Sequence, residues 1–385
     1  MSHSIIPPSS AGIWGKPDGC TGWVLMAQCY PETEETPEAR EGTASHWVAS
    51  EVLESYTNDT GIKTCNMFVG ENAPNGVVIT EEMAEGAELQ VKDVLAICQE
   101  RGALQEMHVE QRIEAPRIHE LSFGTCDCYL FDRKTGELFI WDYKFGYGVV
   151  EAFENWQSIN YVAGIIDKYN IDGLEDQFTT VHMRIVQPRA FHREGPVREW
   201  KVKASDLRGY FNQLQSNAAK ALGPNAECNS GPHCKHCPGR HACEAALTAG
   251  IRLFEAASKP IPVELSDHAL GVQLALAKRA REQLEYLESG FEEQVASRMR
   301  SGALIPGWSK EDSYGREKWN KPFEEIIAMG DMLGKDLRKK EAITPKQAIK
   351  LGVDETVIKA YSTQPRTGVK IVPDNGNKAK QVFSQ

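Results

Sequence analysis

The stretch "FGTCDCYLFDRKTGELFIWDYKFG", Phe123 to Gly146, constrains the fold more than any other part of the chain. Its halves, "TCDCYLFD" and "ELFIWDYK", are rich in β-branched and aromatic residues, and "RKTG" between them supplies a glycine-containing turn, so the pattern predicts a β-hairpin. Yet this hairpin carries acids where core residues would be expected. An unpaired carboxylate is costly to bury, so Asp127 must face solvent or a cationic partner. Asp142 ends a strongly apolar strand, and the period of two puts Lys144 on its face.

Two carboxylates on adjacent antiparallel strands can converge on one hard cation, Mg²⁺ or Mn²⁺, which takes oxygen ligands and keeps several waters. A lysine beside them can hold an attacking water or neutralise charge on a phosphoryl oxygen. That is equipment for metal-assisted phosphodiester hydrolysis. A bare D-x-K also describes a surface hairpin with a solvated Asp–Lys pair, so its neighbours in sequence decide between the two.

"GTASHWVASEVLESY" predicts a helix over roughly 43–57 with Thr43 as N-cap. A second, about 81–101, follows Thr80 and carries Glu81, Glu82 and Glu85 near its positive end. Met107–Ala115 alternates like a strand, and Phe153–Asn170 returns to a helical period. "FTTVHMRIVQP" and "VREWKVK" predict two further strands, and Ser205 caps a helix to about 222. Ser266 opens a long amphipathic helix over 266–300. "SGALIPGWSKEDSYGREKWNKP" suits a turn-rich hairpin, a helical region spans about 323–351, and the polar tail suits disorder or a partner-bound arm. The expectation is an α/β protein with one region over 1–250 and a mainly helical region over 251–385.

The ordered set "GTASH", "GTCD", "WDYK" and "QSINY", over roughly residues 40–165, resembles the RecB-like branch of the PD-(D/E)XK nucleases. The resemblance implies a restriction-endonuclease-like core with a mixed central sheet flanked by helices. It implies that His46, Asp127 and Asp142 ligate the catalytic Mg²⁺ or Mn²⁺ and that Lys144 orients the attacking water. Gln157 and Tyr161 would contact the DNA backbone or brace the site, and Glu110 matches an acidic position of the family. The implied activity is DNA exonuclease action in phage or prophage recombination, replication or DNA processing. DNA, and a phage single-strand annealing or replication protein, are the implied partners, with self-association left open. The alternative is a non-catalytic nucleic-acid-binding or scaffold protein that keeps the fold. A zinc hydrolase or transcription factor fits less well, because H-E-x-x-H and C2H2 spacings are absent.

Cys228, Cys234, Cys237 and Cys243 cluster in "CNSGPHCKHCPGRHAC". With ten cysteines and no export signal, reduced thiols that bind a metal are expected, and spacing alone leaves structural Zn²⁺ and an iron–sulfur cluster both open. RecB-like nucleases of the iron–sulfur type use C-x2-C-x5-C plus one upstream cysteine. The resemblance therefore implies a 4Fe-4S cluster on Cys20, Cys234, Cys237 and Cys243, with Cys29 the next upstream candidate. Cys228 is the alternative fourth ligand, and would make a local zinc knuckle. A net charge of −11 argues against a surface that coats nucleic acid by charge alone. With neither a signal segment nor an apolar run of membrane length, the expected compartment is the cytoplasm, that of the bacterial host for a phage protein.

Overall fold

A computed structural model describes residues 4–30, 35–58, 61–171, 174–258 and 265–308, together with Ala328 and Met332. The chain divides into two compact units, Met1–Lys310 and Glu311–Gln385. Most of the expected hairpin after Ser301, and nearly all of the helix over 323–351 and the polar tail, lie outside the described residues.

Five strands form one mixed sheet in sequence order: β1 (Met107–Glu114), β2 (Phe123–Asp132), β3 (Glu137–Tyr143), β4 (Thr180–Val186) and β5 (Val197–Lys203). The predicted hairpin is β2–β3. Its turn is fixed by Asp132, whose carboxylate accepts from Lys134 N at 3.0 Å and Thr135 Oγ1 at 2.8 Å. β3 and β4 run parallel while the other pairs are antiparallel. A parallel pair needs a crossover. Here α5 (Trp156–Tyr169) and α6 (Leu174–Phe178) supply it.

Each face of the sheet has its own core. On one side α5, α7 (Arg208–Leu222) and the short α1 (Ala11–Trp14) bury Ile159, Phe211 and Trp14 with Tyr129 and Ile140. On the other, α3 (Pro37–Ser55) and α4 (Glu81–Arg101) bury Val48, Val52 and Val94 with Leu130 and Trp141. The short α2 (Trp23–Cys29) leads from the leader towards the cysteine segment, which is followed by α8 (Glu244–Ser258) and the long α9 (Asp267–Arg300). Of the apolar stripe expected on α9, Leu287 is buried while Leu270, Leu274, Leu284 and Phe291 are exposed. No helix among the described residues is long and apolar enough to cross a membrane.

Two helix starts differ from expectation. α3 begins at Pro37, and its N-cap is Thr36, whose hydroxyl accepts from Ala39 N at 3.2 Å. A threonine cap followed by a proline at the first helical position outcompetes Thr43, which donates instead to Ala39 O at 3.1 Å within the helix. Ser205 lies in a 3₁₀ turn, and α7 starts at Arg208 without a side-chain cap. Thr80 and Ser266 cap α4 and α9 as expected, accepting from Met83 N and Ala269 N, both at 3.3 Å.

One carboxylate ties α4 to the sheet. Asp93 accepts from the buried indole of Trp141 at 2.7 Å and twice from Arg184, each at 2.8 Å. Asp93→Ala should cost about 2–4 kcal/mol in urea unfolding, because it strands a buried N–H and part of a guanidinium. Asp93→Asn, which keeps an acceptor for the indole, should lose less. An unchanged midpoint for the alanine variant would mean that the network contributes nothing to this packing.

Candidate active site

Where β2 and β3 part, their ladder gives way to side chains, while β1–β2 and β3–β4 stay paired. The β1–β2 pairs Val109–Cys128 and Gln111–Cys126 flank Glu110 and Asp127, which therefore stand opposite each other. The β2–β3 ladder runs as far as Cys128–Trp141, so one step further Asp127 stands opposite Asp142. Three acids thus form a row across β1, β2 and β3. There the backbone leaves its regular path. Glu110 has a left-handed φ of 46°, uncommon for a residue with a side chain and frequent at functional sites. Cys126 packs in one core and Cys128 in the other, although residues two apart normally share a face. The strand turns about Asp127.

That turn brings α3 and α5, from opposite faces of the sheet, to the same acids. From α3, His46 Nδ1 lies 3.5 Å from Asp127 Oδ2. Its ring centroid is 4.9 Å from that of Tyr143. Ser45 donates to Met83 O at 3.0 Å, so its 2.8 Å contact with Tyr143 OH is a bond donated by the tyrosine, which fixes the ring beneath His46. From α5, Gln157 Nε2 donates to Asp142 Oδ1 at 2.9 Å and its Oε1 accepts from Lys144 Nζ at 3.0 Å. Lys144 Nζ also lies 3.0 Å from Asp142 Oδ1, so the three side chains close a triangle. Tyr161 OH donates to Thr125 O at 2.5 Å and braces β2 from behind. Gly124 permits this approach, since a Cβ there would lie 2.9 Å from Pro8 Cδ and 3.1 Å from Tyr161 OH.

The residues singled out in the sequence therefore fall into two linked groups. The ligating atoms of His46, Glu110 and Asp127 all lie within 4.8 Å of one another and line an open cleft of about 640 Å³. Asp142 is joined to Lys144 and Gln157 through one oxygen, while its other oxygen, Oδ2, is buried with no hydrogen-bond partner. The imidazole and two carboxylates of the first group make a set suited to Mg²⁺ or Mn²⁺, and the orphaned Asp142 oxygen beside them is available as a further cation donor. Ser45, Thr125 and Tyr143 support the site without having been singled out, though all three fall inside or beside the quoted motifs.

The electrostatics follow from this crowding. Burial in the cleft wall, then repulsion from Asp127 and Glu54, pushes the Glu110 carboxyl up to about 8. Its surface nevertheless stays open enough for an ion to reach it. Burial also raises Asp142, against the pull of Lys144. For Lys144, burial alone would lower the ammonium, but Asp142 and Asp127 outweigh it and hold the group protonated.

A second candidate donor set gathers where the cysteine segment lies beside the start of α3. Cys20, Cys234, Cys237 and Cys243 are buried and Cys228 is half-buried. Asn229 N donates to Cys20 Sγ and Gly231 N to Cys234 Sγ, both at 3.4 Å. A Cβ on Gly22 would collide with Cys228 Sγ. Burial pushes Cys237 up to about 12, helped by Cys20, Cys234 and Cys243 around it. Burial likewise raises Cys228 to about 12, with Cys243 and Cys20 beside it. Cys228 therefore lies near Cys20 and Cys243, and Cys237 near Cys20, Cys234 and Cys243, so Cys20 and Cys228 both remain candidates beside the trio. Cys29 is exposed.

Residues 3–372 match a protein family described as "Protein of unknown function (DUF2800)".

Because Glu110 holds its proton to about 8, a bound cation must displace it. The affinity for Mn²⁺, read by titration calorimetry at several pH values, should rise as pH approaches about 8 and then level, with proton release below that point. Glu110→Gln should weaken binding and flatten the pH dependence. A flat profile in the parent protein would mean that Glu110 is no ligand.

Proposed function

We propose that this chain, which belongs to the DUF2800 family, is a divalent-metal-dependent deoxyribonuclease of the RecB-like PD-(D/E)XK type, acting as an exonuclease. The observation that carries this reading is the meeting of the His46–Glu110–Asp127 donor set with the hydrogen-bonded Asp142–Lys144–Gln157 unit where β2 and β3 part in a mixed sheet. The exonuclease mode and the setting in phage recombination, replication or DNA processing rest on the motif resemblance alone.

His46, Glu110 and Asp127 would hold the ion, with Asp142 Oδ2 as a further donor. A bound Mg²⁺ or Mn²⁺ would supply Lewis-acid polarisation of the phosphoryl oxygen and a more acidic water. Lys144, kept protonated by its acids, does not serve as the base. Two of its N–H groups are directed at Asp142 and Gln157, leaving the third to orient water or meet charge on the phosphoryl oxygen. Gln157 fixes both partners and is a positioning residue. Attack of water oxygen on phosphorus breaks the bond to the 3′ oxygen and leaves a 3′-hydroxyl and a 5′-phosphate.

The preference for an iron–sulfur cluster over structural Zn²⁺ rests on the motif resemblance, since the cysteine spacing suits both. A 4Fe-4S cluster on Cys20, Cys234, Cys237 and Cys243 would clamp the N-terminal segment to the end of the nuclease core, and the backbone N–H bonds to Cys20 and Cys234 are the kind that tune such clusters.

Incubation with Mg²⁺ or Mn²⁺ should degrade linear DNA and spare closed circles, and Asp142→Ala or Lys144→Ala should lose roughly a hundredfold or more in rate. Inactivity of the wild type, or equal activity of the variants, would leave a non-catalytic DNA-binding protein. Nicked circles would change the mode to endonuclease. Anaerobically purified protein should show broad visible absorbance that is lost in Cys20→Ala and kept in Cys228→Ala; the reverse would move the fourth ligand to Cys228.

A further inference from the structure

A groove of about 780 Å³ is lined in part by Gln157, the partner of Asp142 and Lys144. Phe153, Trp156, Tyr210 and Val149 line it together with Lys16 and Glu151. The aromatic rings form a continuous set that includes Trp200. The centroid distances are 5.2 Å from Phe153 to Trp200, 5.9 Å from Trp200 to Tyr210 and 5.4 Å from Tyr210 to Trp156. Phe153 nevertheless leaves 64% of its surface in solvent and Val149 leaves 47%.

These exposed apolar groups are not on a slack loop. Gln187 and Arg198 are both buried, and both are committed to the segment that follows Lys144. Gln187 Nε2 donates to Gly146 O at 3.0 Å and Gly148 O at 2.6 Å, and its Oε1 accepts from Val150 N at 3.0 Å. Arg198 donates to Val150 O and to Gln187 Oε1, each at 2.7 Å. Further along, Glu154 holds a left-handed φ of 52° and its carboxylate accepts from Tyr210 OH at 2.6 Å. Two buried polar side chains and a strained backbone thus fix the segment that holds Phe153 in the open, over the half-buried Tyr210 and the buried Trp156 next to Lys144's partner Gln157.

We propose that this groove is a stacking subsite for the unpaired bases of a single DNA strand whose backbone enters the Lys144 site, an inference that rests on the nuclease reading. Three observations select that occupant. The groove is continuous with the site through Gln157, which lines one and orders the other. Its ionisable groups are mostly acidic, Asp18, Glu151 and Glu154 against Lys16, so it repels a phosphate backbone while offering acceptors to the N–H groups of bases. It offers the exposed ring of Phe153 with Tyr210 beside it, and the faces of bases are available to such rings only in an unpaired strand.

Binding is read in calcium by fluorescence anisotropy, with labelled oligothymidylate and an abasic strand of the same length. Phe153→Ala should weaken oligothymidylate binding roughly tenfold and leave the abasic strand within about twofold. Phe153→Trp should restore binding. Tyr147→Ala, on the same loop but outside the groove, should change neither. Equal losses on both strands, no loss at all, or a matching base-dependent loss at Tyr147 would overturn the subsite. A wild type that cuts no DNA yet shows the base-dependent loss would uphold the subsite and remove the nuclease reading. Cleavage without that loss would do the opposite.

Discussion

The site depends on a single backbone bond. Where the β2–β3 ladder ends, Tyr143 N–H donates to the Asp127 carboxylate at 2.7 Å. A side chain has taken the place of a strand, and an acid beside a well-packed sheet is thereby made tolerable. The strand ends part around it. Glu110 from β1 and Asp142 from β3 fall into the same row, and helices packed on opposite faces deliver His46 and Gln157 to it. Both hydrophobic cores therefore act as the mould of the site. Neither α3 nor α5 could be displaced without moving one of its donors.

Much of this arrangement was legible in the sequence because the relevant signals are local. Alternating aromatic and β-branched residues around a short polar turn gave the hairpin, and Thr80 and Ser266 marked two helix starts by capping chemistry. Thr36-Pro37 carries an equally good start signal, while Gly42-Thr43 stands closer to the helix's first large apolar residues, Trp47 and Val48. The close grouping of Glu110 with His46 and Asp127 was harder to see. Its position depends on a left-handed backbone at one residue of β1, and a non-glycine residue gives no sign of that in the sequence. Gln187 and Arg198, which hold the loop after Lys144, were illegible for another reason: their partners are backbone carbonyls and an amide about 40 residues away.

The spacing of the cysteine segment raises the expectation of a bound metal, and the fold adds which thiols lie near one another. Cys20 arrives from the leader because Gly19 O and Thr21 bond to Asn229 and Glu227, pinning that strand of chain against the segment. Cys228 arrives with it. The fourth-ligand question thus persists for a physical reason, since the same short contact brings both thiols to the trio.

The most direct examination of the catalytic reading is anomalous scattering from crystals soaked in Mn²⁺. A peak bounded by His46, Glu110 and Asp127, and within reach of Asp142 Oδ2, is the expected result. A peak elsewhere with this row empty, or none at saturating Mn²⁺, would contradict the assignment of these residues as a metal centre.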